Sequence, residues 1–229
     1  MGKTLSENLF SQRAGRDVSA GEIVTLQPDF YLSHDNSAAI LKKLPAMGAS
    51  GLRFPDRAVI VLDHTVPAPT SADAANHKAI REFVDAQGIE RFYDIGRGVC
   101  HQVLAEEGFA RPGVLIVGAD SHTTMAGALG AFACGIGRTE MAGVWATGEL
   151  WLKCPETIRV ELSGKLPPHS FAKDLALSII GDIRADGALY QAVEYCGSGA
   201  ASLSIAAVSY THLRAHETSL HLVCRLLLE

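Results

Sequence analysis

The chain has 229 residues, 48% of them hydrophobic, 22 glycines and a formal net charge of −5. That length fits one large or two modest domains. The mild acidity excludes the basic surface of a nucleic-acid binder or a membrane-lying helix, and no apolar run reaches the length of a bilayer span. The opening Met1-Gly-Lys-Thr-Leu-Ser-Glu7 lacks the apolar core of a secretory signal, so a cytoplasmic protein is expected. Cys100, Cys134, Cys154, Cys196 and Cys224 are scattered with no C-x-x-C. They are read as small buried hydrophobes rather than as disulfides or as ligands of a locally encoded zinc or cluster site.

In chain order, Thr4-x-x-Glu7 ahead of Leu9 and Phe10 predicts a capping box, with Gly15 closing a short helix. Asp29 to Lys43 reads as helical. Ala58-Val-Ile-Val-Leu62 reads as a buried strand running into Asp63-His64, and Ala74 to Ala86 as a helix ended by Gly88. Phe92–Ile95 is a short strand and Cys100–Glu106 a helix. The run 113–118 is a continuous apolar strand that delivers Asp120, Ser121 and His122 in succession. Ala126–Cys134 and Glu140–Trp151 read as helices. After Pro155 the pattern restarts, with strands at Thr157–Leu162 and Leu189–Tyr195 around a helix from Ser170 to Gly181 capped by Ser170. Strands alternating with helices predict a layered α/β/α architecture with a mainly parallel sheet.

Two of the strongest strands thus end in Asp plus His. Open α/β sheets bind ligands at strand carboxyl ends, and polar groups buried there without partners would be costly. A carboxylate beside an imidazole raises the imidazole's pKa and fixes its tautomer for proton transfer. His101 follows a glycine turn at a predicted helix start, and His34-Asp35 forms a further pair that also reads as a plain surface cap. Glu194 lies inside an apolar strand, where a carboxylate must be edge-exposed, paired or functional. The glycines at 127–137 fit neither dinucleotide nor P-loop spacing; tight helix packing is the simpler reading. Ser121 lacks the G-x-S-x-G context of a hydrolase nucleophile.

The sequence from about Thr4 to about Ala207 resembles the large-subunit or N-terminal region of the aconitase and isopropylmalate dehydratase family. The resemblance rests on Leu62-Asp-His-Thr-Val-Pro67, Gly98-Val-Cys-His-Gln102, Pro112 through Thr123, Lys153-Cys-Pro155, Ala172-Lys-Asp174 and Val193-Glu-Tyr195. It implies a hydro-lyase of amino-acid biosynthesis acting on a hydroxy di- or tricarboxylic acid, with a [4Fe–4S] cluster whose open iron is a Lewis acid. By resemblance, Asp63 pairs with His64, Asp120 with His101 and Glu194 with His122 as catalytic couples, while Ser121 and His34 contact substrate. The resemblance leans towards an isopropylmalate-type large subunit. The family's cluster cysteines lie downstream of the matched region, and its catalytic base comes from a later domain or a small subunit. No metal ligand is therefore expected in this chain, which reads as a truncated, inactive fragment.

The expected organisation is a first α/β domain over 1–156, the start of a second over 157–207, and an unrelated, artefactual tail over 208–229. In the tail, His212-x-x-x-His216 beside Glu217 also fits a zinc site. Two other classes therefore stand beside the hydro-lyase: a zinc-dependent enzyme using tail histidines, and a non-catalytic carboxylate-binding module.

Overall fold

The computed structural model describes residues 2–184 and 186–209, and the backbone of Cys224–Leu226. Helix α1 (Leu5–Ala14) starts in the expected capping box: Thr4 Oγ1 accepts the Glu7 N–H, the Glu7 carboxylate accepts the Thr4 N–H, and Gly15 closes the helix in the left-handed conformation. The centre of the molecule is a parallel five-strand sheet, order β4-β3-β2-β5-β6. Its strands are β2 (Phe30–Ser33), β3 (Ala58–Val61), β4 (Phe92–Tyr93), β5 (Leu115–Gly118) and β6 (Phe132–Gly135). The chain builds outward from β2 to β4, returns, and builds from β5 to β6 on the other side. The order therefore reverses between β2 and β5, the place where open α/β sheets hold ligands.

Apart from the half-buried edge strand β4, the strands are buried on both faces, and their side chains alternate between two separate cores, as the pleat requires. Tyr31, Ile60, Leu115, Val117 and Phe132 face one core with Phe10, Ile40, Ile80, Met141 and Trp145. Leu32, Val59, Val61, Ile116 and Ala133 face the other with Cys100, Val103 and Leu104. The first core thus draws on α1, α2 (Ser37–Leu41), α3 (Ser71–Gln87) and α5 (Arg138–Thr147), and the second on α4 (Cys100–Glu106). Helix α3 is longer than its periodicity indicates, because Thr70 caps it by accepting the Asp73 N–H.

An antiparallel ribbon joins β1 (Ile23–Leu26), which has no counterpart among the expected elements, to β7 (Leu150–Lys153). Beyond it, β8 (Glu156–Glu161) and β9 (Gln191–Cys196) pair in parallel, with α6 (Ala172–Ile183) between them in sequence. Ile179, Val193 and Tyr195 form a small core there. A short helix, α7 (Ser198–Ala201), follows, and β10 (Cys224–Leu226) runs parallel to β9. No helix of the described residues is long and apolar enough to cross a membrane.

Four further expected elements differ. Asp29–Lys43 is not one helix: Phe30–Ser33 is the central strand, and the helix begins only at Ser37. A strand covered on both faces shows no polar alternation, so four residues of it cannot be told from a helix segment by periodicity. Ala126–Cys134 splits into the end of a 3₁₀ segment (Ser121–Leu129) and strand β6, and Glu140–Trp151 splits at Gly148 into α5 and β7. Finally, α6 starts one residue later than expected: Phe171 is its N-cap residue, and Asp174 accepts the Phe171 N–H at 2.8 Å.

Candidate active site

The polar residues at the carboxyl ends of β2, β3 and β5, with the first turn of α4, come together in one cluster. Strand β5 ends at Gly118, and Asp120 then caps the 3₁₀ segment by accepting the His122 N–H at 2.8 Å. Two glycines allow this close packing. A Cβ on Gly118 would meet Thr123 Oγ1, and one on Gly135 would sit 2.6 Å from the Asp120 carbonyl oxygen. Of the glycine-rich stretch 127–137, Gly135 thus serves strand-to-turn packing and Gly130 lies against Pro112.

Asp120 is the hub. One of its oxygens lies 2.8 Å from His101 Nε2 and 3.4 Å from His122 Nδ1; the other lies 3.6 Å from His64 Nε2 and 3.9 Å from His34 Nε2. Burial pushes this carboxyl up, but the His101 hydrogen bond, the His101 charge and the His122 N–H outweigh it and hold it well below the usual carboxylate range. Ser121, exposed at the rim, has its Oγ 3.5 Å from His122 Nδ1.

The second couple is Asp63 and His64, just after β3. Asp63 Oδ1 lies 2.6 Å from His64 Nδ1, and its other oxygen accepts the Cys100 N–H at the start of α4. Burial lowers the His64 pKa, yet the Asp63 hydrogen bond and the charges of Asp63, Asp120 and Asp35 outweigh it and raise it above the ordinary imidazole value. His34 stacks on His64 with ring centroids 3.7 Å apart. Burial, with repulsion from His64, drops the His34 pKa to about 4, so His34 is the neutral member of the stack. Its Nδ1 is buried without a hydrogen-bond partner, as is His101 Nδ1.

Glu194 comes from a different sheet. It lies on β9, where Oε1 accepts the Leu5 N–H at the start of α1 at 2.9 Å. His122 Nδ1 lies 3.4 Å from Asp120 Oδ1, and the couple of Glu194 with His122 stays what the resemblance implies.

Sequence reasoning underrated two residues. Asp35, read as half of a surface pair, is buried and gathers the backbone of the Asp63–Thr65 loop. His77, on α3, bonds Asp35 with its Nε2. The available signal was a histidine on a helical stripe with Ile80 and Val84, where an imidazole needs a partner.

A [4Fe–4S] cluster needs thiolates converging on one point. Cys100, Cys134, Cys154 and Cys196 are free and buried. Burial drives the thiol pKa of Cys134 to about 12 and that of Cys154 to about 11; burial and Asp63 together raise that of Cys100. Among the described residues, the groupings able to hold a metal ion contain only histidine and aspartate: His34 with Asp35, Asp63 and His64, and His101 with Asp120 and His122. The described cysteines do not fit a cluster. His212 and His216 of the zinc reading lie outside the described residues.

A sequence profile described as "Aconitase family (aconitate hydratase)" matches residues 7–209. The chain is 51% identical over 206 residues to 3-isopropylmalate dehydratase large subunit 1 of Methanopyrus kandleri, covering 90% of this chain and 49% of that protein. It is 43% identical over 207 residues to the 3-isopropylmalate dehydratase large subunit of Aquifex aeolicus, covering 90% and 48%. It is 46% identical over 195 residues to the homoaconitase large subunit of Thermus thermophilus, covering 85% and 46%. The chain spans about half the length of the curated relatives it matches.

Proposed function

The chain belongs to the aconitase family, and on that premise we propose that it supplies the proton-handling half of a hydro-lyase acting on a hydroxy di- or tricarboxylic acid, most closely of the 3-isopropylmalate dehydratase large-subunit kind. The observation that carries this reading is Asp120, one half-buried carboxylate within 4 Å of the imidazoles of His34, His64, His101 and His122. Removing water from a hydroxy acid requires a proton for the departing hydroxide and cations for the substrate carboxylates. His64 is raised towards its protonated form and exposed enough to reach a ligand. In this reading it holds the proton that the hydroxide takes, and Asp63 keeps its imidazole oriented. His101 and His122, set against Asp120, face the substrate carboxylates or pass protons. Ser121 Oγ offers a hydrogen bond to a carboxylate, and neutral His34 packs on His64 and offers a ring nitrogen.

The cluster implied by the resemblance would take its thiolates from outside the described cysteines, and none of these proton-handling roles runs through it. A small subunit or further domain would supply the base that removes the carbon-bound proton; the Methanopyrus and Thermus relatives are each called a large subunit. Nothing in the family match or the relatives favours the zinc-dependent or the carboxylate-module reading.

A chimera tests the proposal. Residues 7–209 replace the matching half of the Methanopyrus large subunit, and the conjugated product of dehydration is followed by ultraviolet absorbance with its small subunit present. Turnover of 3-isopropylmalate exceeding that of homocitrate is expected. A folded chimera inert towards both would overturn the reading.

A further inference from the structure

The loop bearing Asp63 and His64 is held by a carboxylate that belongs to neither couple. Asp35 Oδ2 accepts the backbone N–H of Asp63 at 3.1 Å and of His64 at 2.8 Å. Its Oδ1 accepts the Thr65 N–H at 3.3 Å and the Thr65 hydroxyl at 2.6 Å. Three consecutive residues of the loop are therefore tied to one side chain. Burial works against the ionised form, but the hydrogen bonds from Thr65, the His64 N–H and His77 outweigh it and keep Asp35 well below the usual carboxylate range.

Asp35 is fixed in turn from a different element. His77 Nε2, on α3, lies 2.5 Å from Asp35 Oδ1 and 3.3 Å from Thr65 Oγ1. His77 is 2% exposed, on the helix face that carries Ile80 and Val84 into the core. A leucine would fill that place without the desolvation cost of an imidazole. What the histidine adds is an N–H aimed at Asp35 across 42 residues of sequence.

We propose that His77 is a positioning residue: by donating to Asp35 it clamps the 63–65 loop, and so holds the His64 imidazole against Asp63 and over Asp120. This rests on the reading of His64 as the proton-bearing group. The groups facing His64 are the carboxylates of Asp63, Asp120 and Asp35 and the stacked ring of His34. Without the His77 N–H, the Asp35 carboxylate loses a charge-assisted hydrogen bond and is free to rotate. The loop amides then lose their common acceptor, and the contact between Asp63 and His64 loosens.

The test is an imidazole ¹⁵N NMR titration of His64 in this chain, for the parent, His77→Leu and His77→Gln. Leucine keeps the packing and removes the donor, whereas the glutamine amide can still donate to Asp35. The His64 midpoint is expected to fall in His77→Leu and to return towards the parent value in His77→Gln. A midpoint unchanged in folded His77→Leu overturns the proposal. An equal fall in both variants also overturns it, because burial and shape would then be the cause rather than the donated hydrogen bond. If His77→Leu does not fold, His77→Met, with its adaptable side chain, carries the same expectation. The titration needs neither substrate nor turnover, so its failure leaves the hydro-lyase reading standing. An inert chimera, conversely, leaves the clamp standing.

Discussion

The five-strand sheet and the β8–β9 pair are built from similar short parallel strands, yet they use charge differently. In the larger sheet, two cores cover both faces, and the polar residues sit past the strand ends at the reversal between β2 and β5. There Asp35, Asp63 and Asp120 each face at least one imidazole. In the smaller pair, Glu194 sits within β9 and its carboxylate is taken up by the N–H of Leu5, which opens α1. All four carboxylates accept backbone N–H groups, Asp63 and Glu194 each at the start of a helix. What makes the strand-end carboxylates informative is the imidazole set against each of them.

The largest expected effect falls on the strand-end cluster. In the chimera, His101→Ala should lower kcat by about 10²–10⁴-fold, the usual worth of a placed proton-transfer group, with a far-ultraviolet circular dichroism spectrum unchanged. A loss under tenfold would remove His101 from the chemistry and weaken the contrast between the sheets.

Next in size are the two cores. Ile116, fully buried between strands of the larger sheet, should cost about 2–5 kcal/mol when cut to alanine. Ile179, at the edge of the small core beside β9, should sit at or below the bottom of that range. Urea denaturation compares them directly, and equal losses would contradict the account of one double-covered and one lightly covered sheet.

Glu194→Ala should cost about 0.5–2 kcal/mol through the lost acceptor at the start of α1, with a smaller loss of chimera turnover than His101→Ala produces. A turnover loss matching that of His101→Ala would place Glu194 with the cluster and erase the distinction.

The smallest and most diffuse effect is on pH. His34 has its pKa depressed from an ordinary 6.5 to about 4. Below 6.5 the unfolded chain therefore takes up a proton that the folded chain refuses, and stability falls as pH drops from there to about 4. Asp35 and Asp120, also depressed, extend the loss further into acid. His64 acts in the opposite direction: its raised pKa stabilises the fold at low pH, and that contribution is lost as pH rises through its folded value. His64 is 40% exposed, so solvent screening keeps its share minor. Denaturation midpoints recorded across the acid range check the sign. A His34→Leu variant should show a shallower decline between 6.5 and 4.

Much of the architecture is legible in the residues. The strands ending in Asp63-His64 and Asp120-Ser121-His122 could be read because β-branched runs end abruptly in polar residues, and the helix over 100–106 because the Gly96 and Gly98 turn leads into it. The central strand Phe30–Ser33 could not be read, because a four-residue segment buried on both faces carries no periodicity. Strand β6 is hidden because Ala131, Phe132, Ala133 and Cys134 form a short apolar run that suits a helix equally well; its pairing with β5, a tertiary fact, decides the outcome. The hub role of Asp120 and the service of Asp35 depend on which strands are neighbours, and single-residue patterns do not encode that.

The central claim is that Asp63-His64 and His101-Asp120 form one proton-handling unit. A double-mutant cycle in the chimera tests it most directly, comparing kcat for His64→Ala, His101→Ala and the pair. Residues acting as a unit give a double variant little worse than the poorer single one, and that is the result expected. Losses that simply multiply would mean two independent groups, and would contradict the account.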